Sequence, residues 1–212
     1  MPRIQAPTVA EHRARQRRAL LDAARAHLAE EGTAPSLAAA GSRAGLARSS
    51  VYQYFTSRDD LLAGVIADVF PAWARRVVEA VEAAPSPPER VWAYVEANVS
   101  LFAGSEQAIA RALTTVVDPA VLAAPMQEFH RLLQEPLVAA LQDYGVSQPD
   151  VMADIVNSMT LRASRDVWSP DPDVSRRRAA EALELLRELL GPFLHLPDVM
   201  DPPADAGLPA SP

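Results

Sequence analysis

The sequence contains no cysteine, and all twenty of its basic residues are arginine, since lysine is also absent. The lack of cysteine excludes disulfides, thiolate metal ligands and a catalytic thiol. No apolar run approaches the roughly 18 residues that a membrane span requires, and Arg3 is not followed by the apolar core of a signal peptide. We therefore expect a soluble, cytoplasmic protein that makes no membrane contact.

Aromatic residues are also scarce, at 6% of the chain, and no segment shows the alternating apolar pattern of a half-buried strand. Alanine, the strongest helix former and a poor strand former, occupies 40 of the 212 positions. The chain is nevertheless 49% hydrophobic, which is enough to build a sizeable core. The composition and the helical periodicity together predict an all-α protein with about nine helices.

Motifs of the common enzyme classes are missing. The four histidines (residues 12, 27, 130 and 195) are far apart, and none belongs to a His-Glu-x-x-His pair. There is no Gly-x-Ser-x-Gly elbow and no glycine-rich phosphate loop, because the eight glycines are scattered. The sequence therefore predicts no catalytic site, no metal ion and no cofactor.

Charge is divided unevenly along the chain, whose net charge is −7. Residues 1–58 hold nine arginines against four carboxylates, a balance of +5, whereas residues 59–212 hold eleven arginines against twenty-three carboxylates, a balance of −12. A basic N-terminal module on an acidic body presents only one end to a polyanion. The first helix alone carries Arg13, Arg15, Arg17 and Arg18, which form a basic face able to attract DNA phosphates.

Residues 36–55 have the dimensions of a helix-turn-helix. A short helix to about Arg43 is followed by Gly45, which permits a positive φ, and by a second short helix over about 47–53. Leu46 and Val51 can fill the seam between the two helices. The outward face of the second helix then carries residues able to bond base edges or phosphates, and its flank adds further phosphate contacts. These candidates are Arg48, Ser49, Ser50, Tyr52, Gln53, Tyr54, Ser57 and Arg58.

The run from Ala44 to Leu61 resembles the signature of the TetR-type transcriptional regulators. It combines Ala-Gly-Leu, a short polar helix, Tyr-x-x-Phe with Tyr52 and Phe55, and a Ser-Arg-Asp-Asp-Leu segment. The upstream Leu-Leu-Asp-Ala-Ala segment is similar to the first helix of that family, and the resemblance extends over roughly residues 13–73. Ser36 and Ala47, where the two motif helices start, complete the predicted DNA-contact set.

Two positions depart from the family pattern. A larger aliphatic residue followed by alanine is usual where this chain has Ala40 and Gly41, and a glycine inside a helix costs about 1 kcal/mol. The family's lysine after the Tyr-x-x-Phe turn is Arg58 here, which keeps the charge. The glycine is the one feature that favours an alternative function, a helical protein–protein adaptor with a degenerate helix-turn-helix.

The resemblance implies a homodimer that binds a palindromic double-stranded DNA operator, most often as a repressor, and responds to a small-molecule effector in its C-terminal domain. The predicted organisation is a loose arm over 1–9, a DNA-binding domain over 10–60 and a helical effector and dimerisation domain over 61–196. Residues 197–212, with five prolines, are predicted to form a disordered tail.

Candidate effector contacts are large or polarisable side chains in the predicted C-terminal domain, although such residues at helical spacing are also typical of a plain core. They are Trp92, Phe102, Met126, Phe129, His130, Met159 and Trp168. Arg162 and Arg165 could attract an acidic effector or simply form surface ion pairs. The last two helices have broad apolar stripes that a twin subunit could cover as a four-helix bundle. The candidate dimer contacts there are Met152, Val156, Met159, Leu183, Leu186 and Leu190.

Overall fold

Polar caps and prolines fix where the helices of this protein begin. The computed structural model describes residues 9–196, which fold into nine α-helices with no strand among them. Ser36 and Asp118 each accept a hydrogen bond from a backbone N–H at the start of a helix, at 3.1 and 2.8 Å. Four helices have proline in their first turn, where the missing N–H costs nothing. The predicted all-α class and helix number are confirmed for this part of the chain.

The N-terminal part consists of three helices and the start of a fourth. They are α1 (Val9–Glu31), α2 (Leu37–Arg43), α3 (Arg48–Val51) and α4 (Arg58–Ala83). Helix α1 packs against both α2 and α4, so the short helices of the motif are held from behind by a long one. Val9, the last residue of the predicted arm, already belongs to α1, and the rest of that arm lies outside the described residues.

Five helices complete the body. They are α5 (Pro87–Ala103), α6 (Ser105–Val116), α7 (Pro119–Asp143), α8 (Pro149–Ser164) and α9 (Pro172–Leu194). Helix α5 lies at the centre, because it packs against α4, α6, α7, α8 and α9. Within residues 9–196 no helix has both the length and the apolar character needed to cross a membrane. The predicted tail over 197–212 lies outside the described residues.

Helix α4 joins the two parts without a break. It crosses the predicted boundary between residues 60 and 61 and continues through Pro71, whose side is exposed to solvent. Its buried residues, from Leu61 to Val81, belong to a single apolar core that also takes in α1 and α9. Helix α4 is therefore a continuous, packed connection between the helix-turn-helix and the body.

Candidate nucleic-acid interface

Helix α3 is held in place by one buried side chain. Val51 is fully buried, and Leu46 packs against the same core from the turn that precedes the helix. Gly45 has a φ of 69°, the left-handed conformation that the sequence predicted for this turn. The N–H of Leu46 donates to the carbonyl of Gly41 at 2.9 Å and closes the turn. These contacts leave the opposite face of α3 turned to solvent.

The Ala40–Gly41 departure is a packing feature of this motif. Both residues are buried, and a Cβ placed on Gly41 would lie only 2.5 Å from Cγ2 of Val51. The glycine therefore permits the close approach of α2 and α3, and its presence does not indicate a loosened motif. The one sequence feature that favoured a protein–protein adaptor is explained by this contact.

The free face of α3 and the turn that follows it carry the predicted base-reading side chains. Arg48, Ser49, Tyr52 and Gln53 are exposed, with 49% of the Tyr52 surface accessible, and Ser50 is half-buried. Among the described residues, no carboxylate forms a salt bridge with Arg48, so its guanidinium is available for hydrogen bonding. Arginine can bond a guanine edge through two N–H groups, and glutamine can do the same with adenine.

The second motif helix is shorter than the 47–53 span predicted from the sequence. It ends at Val51, and the chain continues in tight turns in which the N–H of Gln53 bonds to the carbonyl of Ser50 at 3.1 Å. The N–H of Tyr54 bonds to Val51 in the same way, at 3.0 Å. Tyr52 and Gln53 thus lie in the turn that follows the helix.

Serine side chains cap the starts of α2 and α4. The Ser57 hydroxyl oxygen accepts a hydrogen bond from the N–H of Asp60 at 3.0 Å. The Asp60 carboxylate in turn accepts hydrogen bonds from the N–H and the hydroxyl of Thr56, at 2.8 and 3.1 Å. Arg58 is exposed at the first position of α4, with its nearest carboxylate, that of Asp59, 3.7 Å away. Its charge therefore lies at the amino end of α4, where an anion is favoured.

Helix α1 contributes arginines beside the motif. The guanidinium of Arg13 lies 5.8 Å from the ring centre of Tyr54, and that of Arg17 lies 5.5 Å from the ring centre of Phe55. The Tyr54 hydroxyl donates a hydrogen bond to the side chain of Gln16, so this tyrosine is half-buried against α1. Its predicted contact with phosphate stays a prediction, whereas the cation–π contacts fix two positive charges beside α3.

Comparison with known proteins identifies this arrangement. Residues 20–65 match the sequence model of the bacterial regulatory proteins of the tetR family. The segment from the second half of α1 to the first turns of α4 is therefore similar to the N-terminal domain of that family. No curated protein matches the chain by sequence.

Solved structures share the fold of this protein over most of its length. A TetR-like transcriptional regulator from Rhodococcus sp. RHA1 superposes with a TM-score of 0.64 at 17% identity, over 91% of this chain and all of that one. A TetR/AcrR-family regulator from Thermobifida fusca gives 0.61 at 19% identity, over 81% and 96%. The SmeT–triclosan complex gives 0.63 at 19% identity, over 90% and 100%. At these identities the likeness concerns the fold.

The body of the protein contains a cavity of about 310 Å³ between α4, α5, α6, α7 and α8. Aromatic rings form much of its wall: Trp73 packs edge-on against Phe102 at 5.8 Å and against Phe129 at 5.5 Å between ring centres. Phe70 stacks on Phe129 at 5.2 Å and separates this cavity from a second apolar hollow between α4 and α7. The volume lies at the lower end of the range of small-molecule sites.

Four of the seven predicted effector residues line this cavity: Phe102, Met126, Phe129 and His130. The other three lie elsewhere. Trp92 is buried under the guanidinium of Arg187. Trp168 lies beside a depression between α1 and α6, and the guanidinium of Arg111 is 5.1 Å from its ring centre. Met159 is half-buried on α8 but does not line the cavity.

Sequence reasoning missed several residues of the cavity wall. Phe70 and Trp73 on α4 have the spacing of ordinary core residues, so nothing in the sequence separates them from their neighbours. Asn98 offered a usable signal, since it is a polar residue on the apolar face of α5 and is only 4% exposed. Asn157 on α8 offered a weaker signal of the same kind. Arg162 and Arg165 do not line the cavity.

Helix α6 forms the wall between the cavity and the DNA-binding domain. Ala110 and Arg111 line the cavity, while the buried Ile109 and Leu113 belong to the core that includes α1, against which α6 packs. Glu106 on the same helix forms an ion pair with Arg76 of α4 at 2.6 Å. Burial raises the pKa of its carboxyl, but the hydrogen bond from its own N–H, the Arg76 contact and the charge of Arg25 outweigh burial and lower it. Glu106 thus links α6 to α4.

The apolar side chains of α8 and α9 fall into two groups, one packed in the core of the protomer and one exposed to solvent. Three of the predicted dimer contacts, Val156, Leu186 and Leu190, are buried inside the protomer and belong to its own core. Met152, Met159 and Leu183 are half-buried at the edge of that core. The exposed apolar side chains of the two helices are their neighbours: Val151, Ile155, Leu161, Leu185 and Leu189, each 45–55% exposed. The free apolar face is therefore displaced from the one that the sequence predicted.

Proposed function

We propose that this protein is a repressor that binds a palindromic operator as a homodimer and is released when a small molecule occupies its body. The observation that carries the proposal is the exposure of Arg48, Ser49, Tyr52 and Gln53 around a helix anchored by the buried Val51. A polar face on a short helix that is fixed from behind suits the major groove of DNA. The protein would act in the cytoplasm, where its operator lies.

A dimer follows from the size of the reading element. Helix α3 has four residues, so one subunit touches only a few base pairs. Two subunits with α3 helices about 34 Å apart read successive major grooves and need a palindrome. The exposed apolar side chains of α8 and α9, Ile155 and Leu189 among them, supply a self-complementary face of the kind that a two-fold dimer buries.

Release by a ligand is supported by where the cavity lies. Its wall includes α4, which runs into the helix-turn-helix, and α6, which packs on α1. A ligand that prefers one arrangement of α4 and α6 would change the distance between the two α3 helices of the dimer. The difference between its affinities for the two arrangements sets how far the equilibrium between them shifts. SmeT was solved in complex with triclosan, and we propose small-molecule binding for this chain as well.

Selection from random DNA duplexes tests the DNA-binding proposal. The purified protein at physiological salt should enrich a palindrome, because its two identical α3 helices impose two-fold symmetry on the site. Substitution of Arg48 by alanine should relax the preference at one position in each half-site. Arg75→Ala is the matched control, since Arg75 is exposed on α4 outside the motif. Enrichment of no sequence would overturn the proposal.

Filling the cavity tests the effector proposal separately. Ala110 lines the cavity, so Ala110→Trp should leave operator binding intact while abolishing release by compounds found in a thermal-shift screen of the wild-type protein. Ala123→Trp, at an exposed position of α7, is the control for the added indole. Unchanged release in Ala110→Trp would show that the cavity is not the effector site.

A further inference from the structure

The cavity wall has a one-sided polar chemistry. None of its fourteen lining residues is acidic, whereas Asn98, Asn157 and Gln107 contribute amides. Arg111 also lines the cavity, and its guanidinium lies 5.1 Å from the ring centre of Trp168. The charged and titratable groups of the wall are Arg111 and His130 alone. A cavity without carboxylates disfavours a cationic ligand and favours one that carries oxygen acceptors.

A buried tyrosine turns the amide of Asn157 into a donor. Tyr94 is 1% exposed, and burial raises the pKa of its phenol, so the hydroxyl keeps its proton. That hydroxyl donates to Oδ1 of Asn157 at 3.0 Å. Because the oxygen of Asn157 accepts this bond, its NH₂ group remains available to donate hydrogen bonds to a ligand in the cavity.

A second donor in the wall has no partner. Trp73 is 4% exposed, and its indole N–H makes no hydrogen bond among residues 9–196. An unsatisfied buried donor costs free energy, which an acceptor supplied by a ligand recovers. Asn98 is already partly engaged, since its Nδ2 donates to the carbonyl of Tyr94 at 2.8 Å. The polar part of the wall is therefore rich in donors.

The apolar part of the wall fits a flat ring. Phe70, Trp73, Phe102 and Phe129 form a continuous aromatic cluster with ring centres 5.2–5.8 Å apart in contacting pairs. An aromatic ligand can extend this cluster by stacking or edge contacts. The volume of about 310 Å³ suits a molecule of one or two rings.

We propose that the cavity binds an aromatic carboxylate, with the ring among Phe70, Trp73 and Phe129. The carboxylate accepts hydrogen bonds from the NH₂ group of Asn157 and from the guanidinium of Arg111, which leaves its contact with Trp168 to reach the ligand. This inference rests on the proposed effector function and names the ligand class of that site. Arg111 balances the charge of the carboxylate, and the aromatic cluster excludes water from the ring.

Three probes of matched shape test the ligand class in the intact protein: 2-naphthoate, 2-naphthamide and 2-naphthylmethylamine. Calorimetric titration should show naphthoate binding at least about tenfold more tightly than the amide, as expected for a charge-assisted pair, and no binding of the amine. Arg111→Gln should reduce naphthoate binding to the level of the amide and leave amide binding unchanged. Arg165→Gln removes an exposed arginine that does not line the cavity and should change neither.

The addition of a negative charge to the cavity wall gives a test whose result a general loss of folding cannot imitate. Asn157→Asp keeps the size of the side chain and adds a negative charge, so it should abolish naphthoate binding and create binding of the amine. Equal or tighter binding of the amide or the amine by the wild-type protein would overturn the ligand class, and so would the absence of naphthoate binding. The proposed effector function is judged separately, by the response of the cavity-filled Ala110→Trp variant in operator release.

Discussion

Asp68 of α4 joins the DNA-binding domain to the body through Arg25 of α1, whose guanidinium donates to its carboxylate at 3.1 Å. Arg18 of α1 binds the other oxygen of Asp68 at 2.7 Å. Asp68 and Arg25 are each only about one-fifth exposed, so solvent screens this pair less than it screens a surface pair. The carboxylate thereby holds two successive turns of α1 on the helix that passes the cavity.

Replacement of Asp68 by asparagine should lower the free energy of unfolding by about 1.5–3 kcal/mol, the range for hydrogen bonds to charged groups. Asparagine keeps the shape but cannot hold two guanidinium groups. Urea denaturation measures the change. The control is Asp173→Asn, which removes an exposed ion pair with Arg176 and should cost close to nothing. Equal losses in the two variants would contradict the role given to Asp68.

Substitution of Gly41 by alanine should destabilise the protein by about 1–3 kcal/mol, because the new Cβ overlaps the side chain of Val51 and forces α3 to move. Gly191→Ala is a matched control, since Gly191 is also a buried helical glycine but its nearest atom, Cγ of Arg187, is 3.8 Å away. The control should gain up to about 1 kcal/mol from helix propensity. Thermal unfolding of both variants measures the contrast, and a stabilised Gly41→Ala would refute the packing argument.

The helix-turn-helix could be predicted from the sequence because its signals are local. Ser36 and Ser57 cap their helices and Gly45 makes its turn through residues a few positions away. The cavity and the dimer face depend on which side of a helix meets its neighbours. Val156 and Ile155 are adjacent apolar residues of α8, and only the packed structure shows that the first is buried and the second exposed.

Removal of the Arg58 charge should weaken operator binding on every sequence. Arg58→Ala should lower the slope of log K against log salt by about 0.9 per subunit, which corresponds to one phosphate contact. Titrations of a selected operator at several salt concentrations measure this slope. Arg75→Ala, on the same helix, should leave it unchanged. A normal slope in Arg58→Ala would show that this side chain makes no phosphate contact.

Negative charges on the free apolar face should dissociate the proposed dimer. Ile155→Glu and Leu189→Glu place carboxylates on exposed positions of α8 and α9, where burial against a twin subunit would leave them unpaired. Light scattering coupled to size-exclusion chromatography should show monomers that bind the operator far more weakly. Val121→Glu, 54% exposed on α7, should remain dimeric. If all three variants remained dimeric, the dimer interface would not include the exposed apolar side chains of α8 and α9.

The central claim is that Arg48 on α3 reads a base edge in the major groove, once in each half of a palindrome. Interference by methylation of guanine N7, a major-groove atom, tests it directly on the selected operator. Wild-type binding should be blocked by methylation at two guanines related by the two-fold axis, and Arg48→Ala should bind regardless of methylation there. Interference that is absent, or that persists unchanged in Arg48→Ala, would contradict the account.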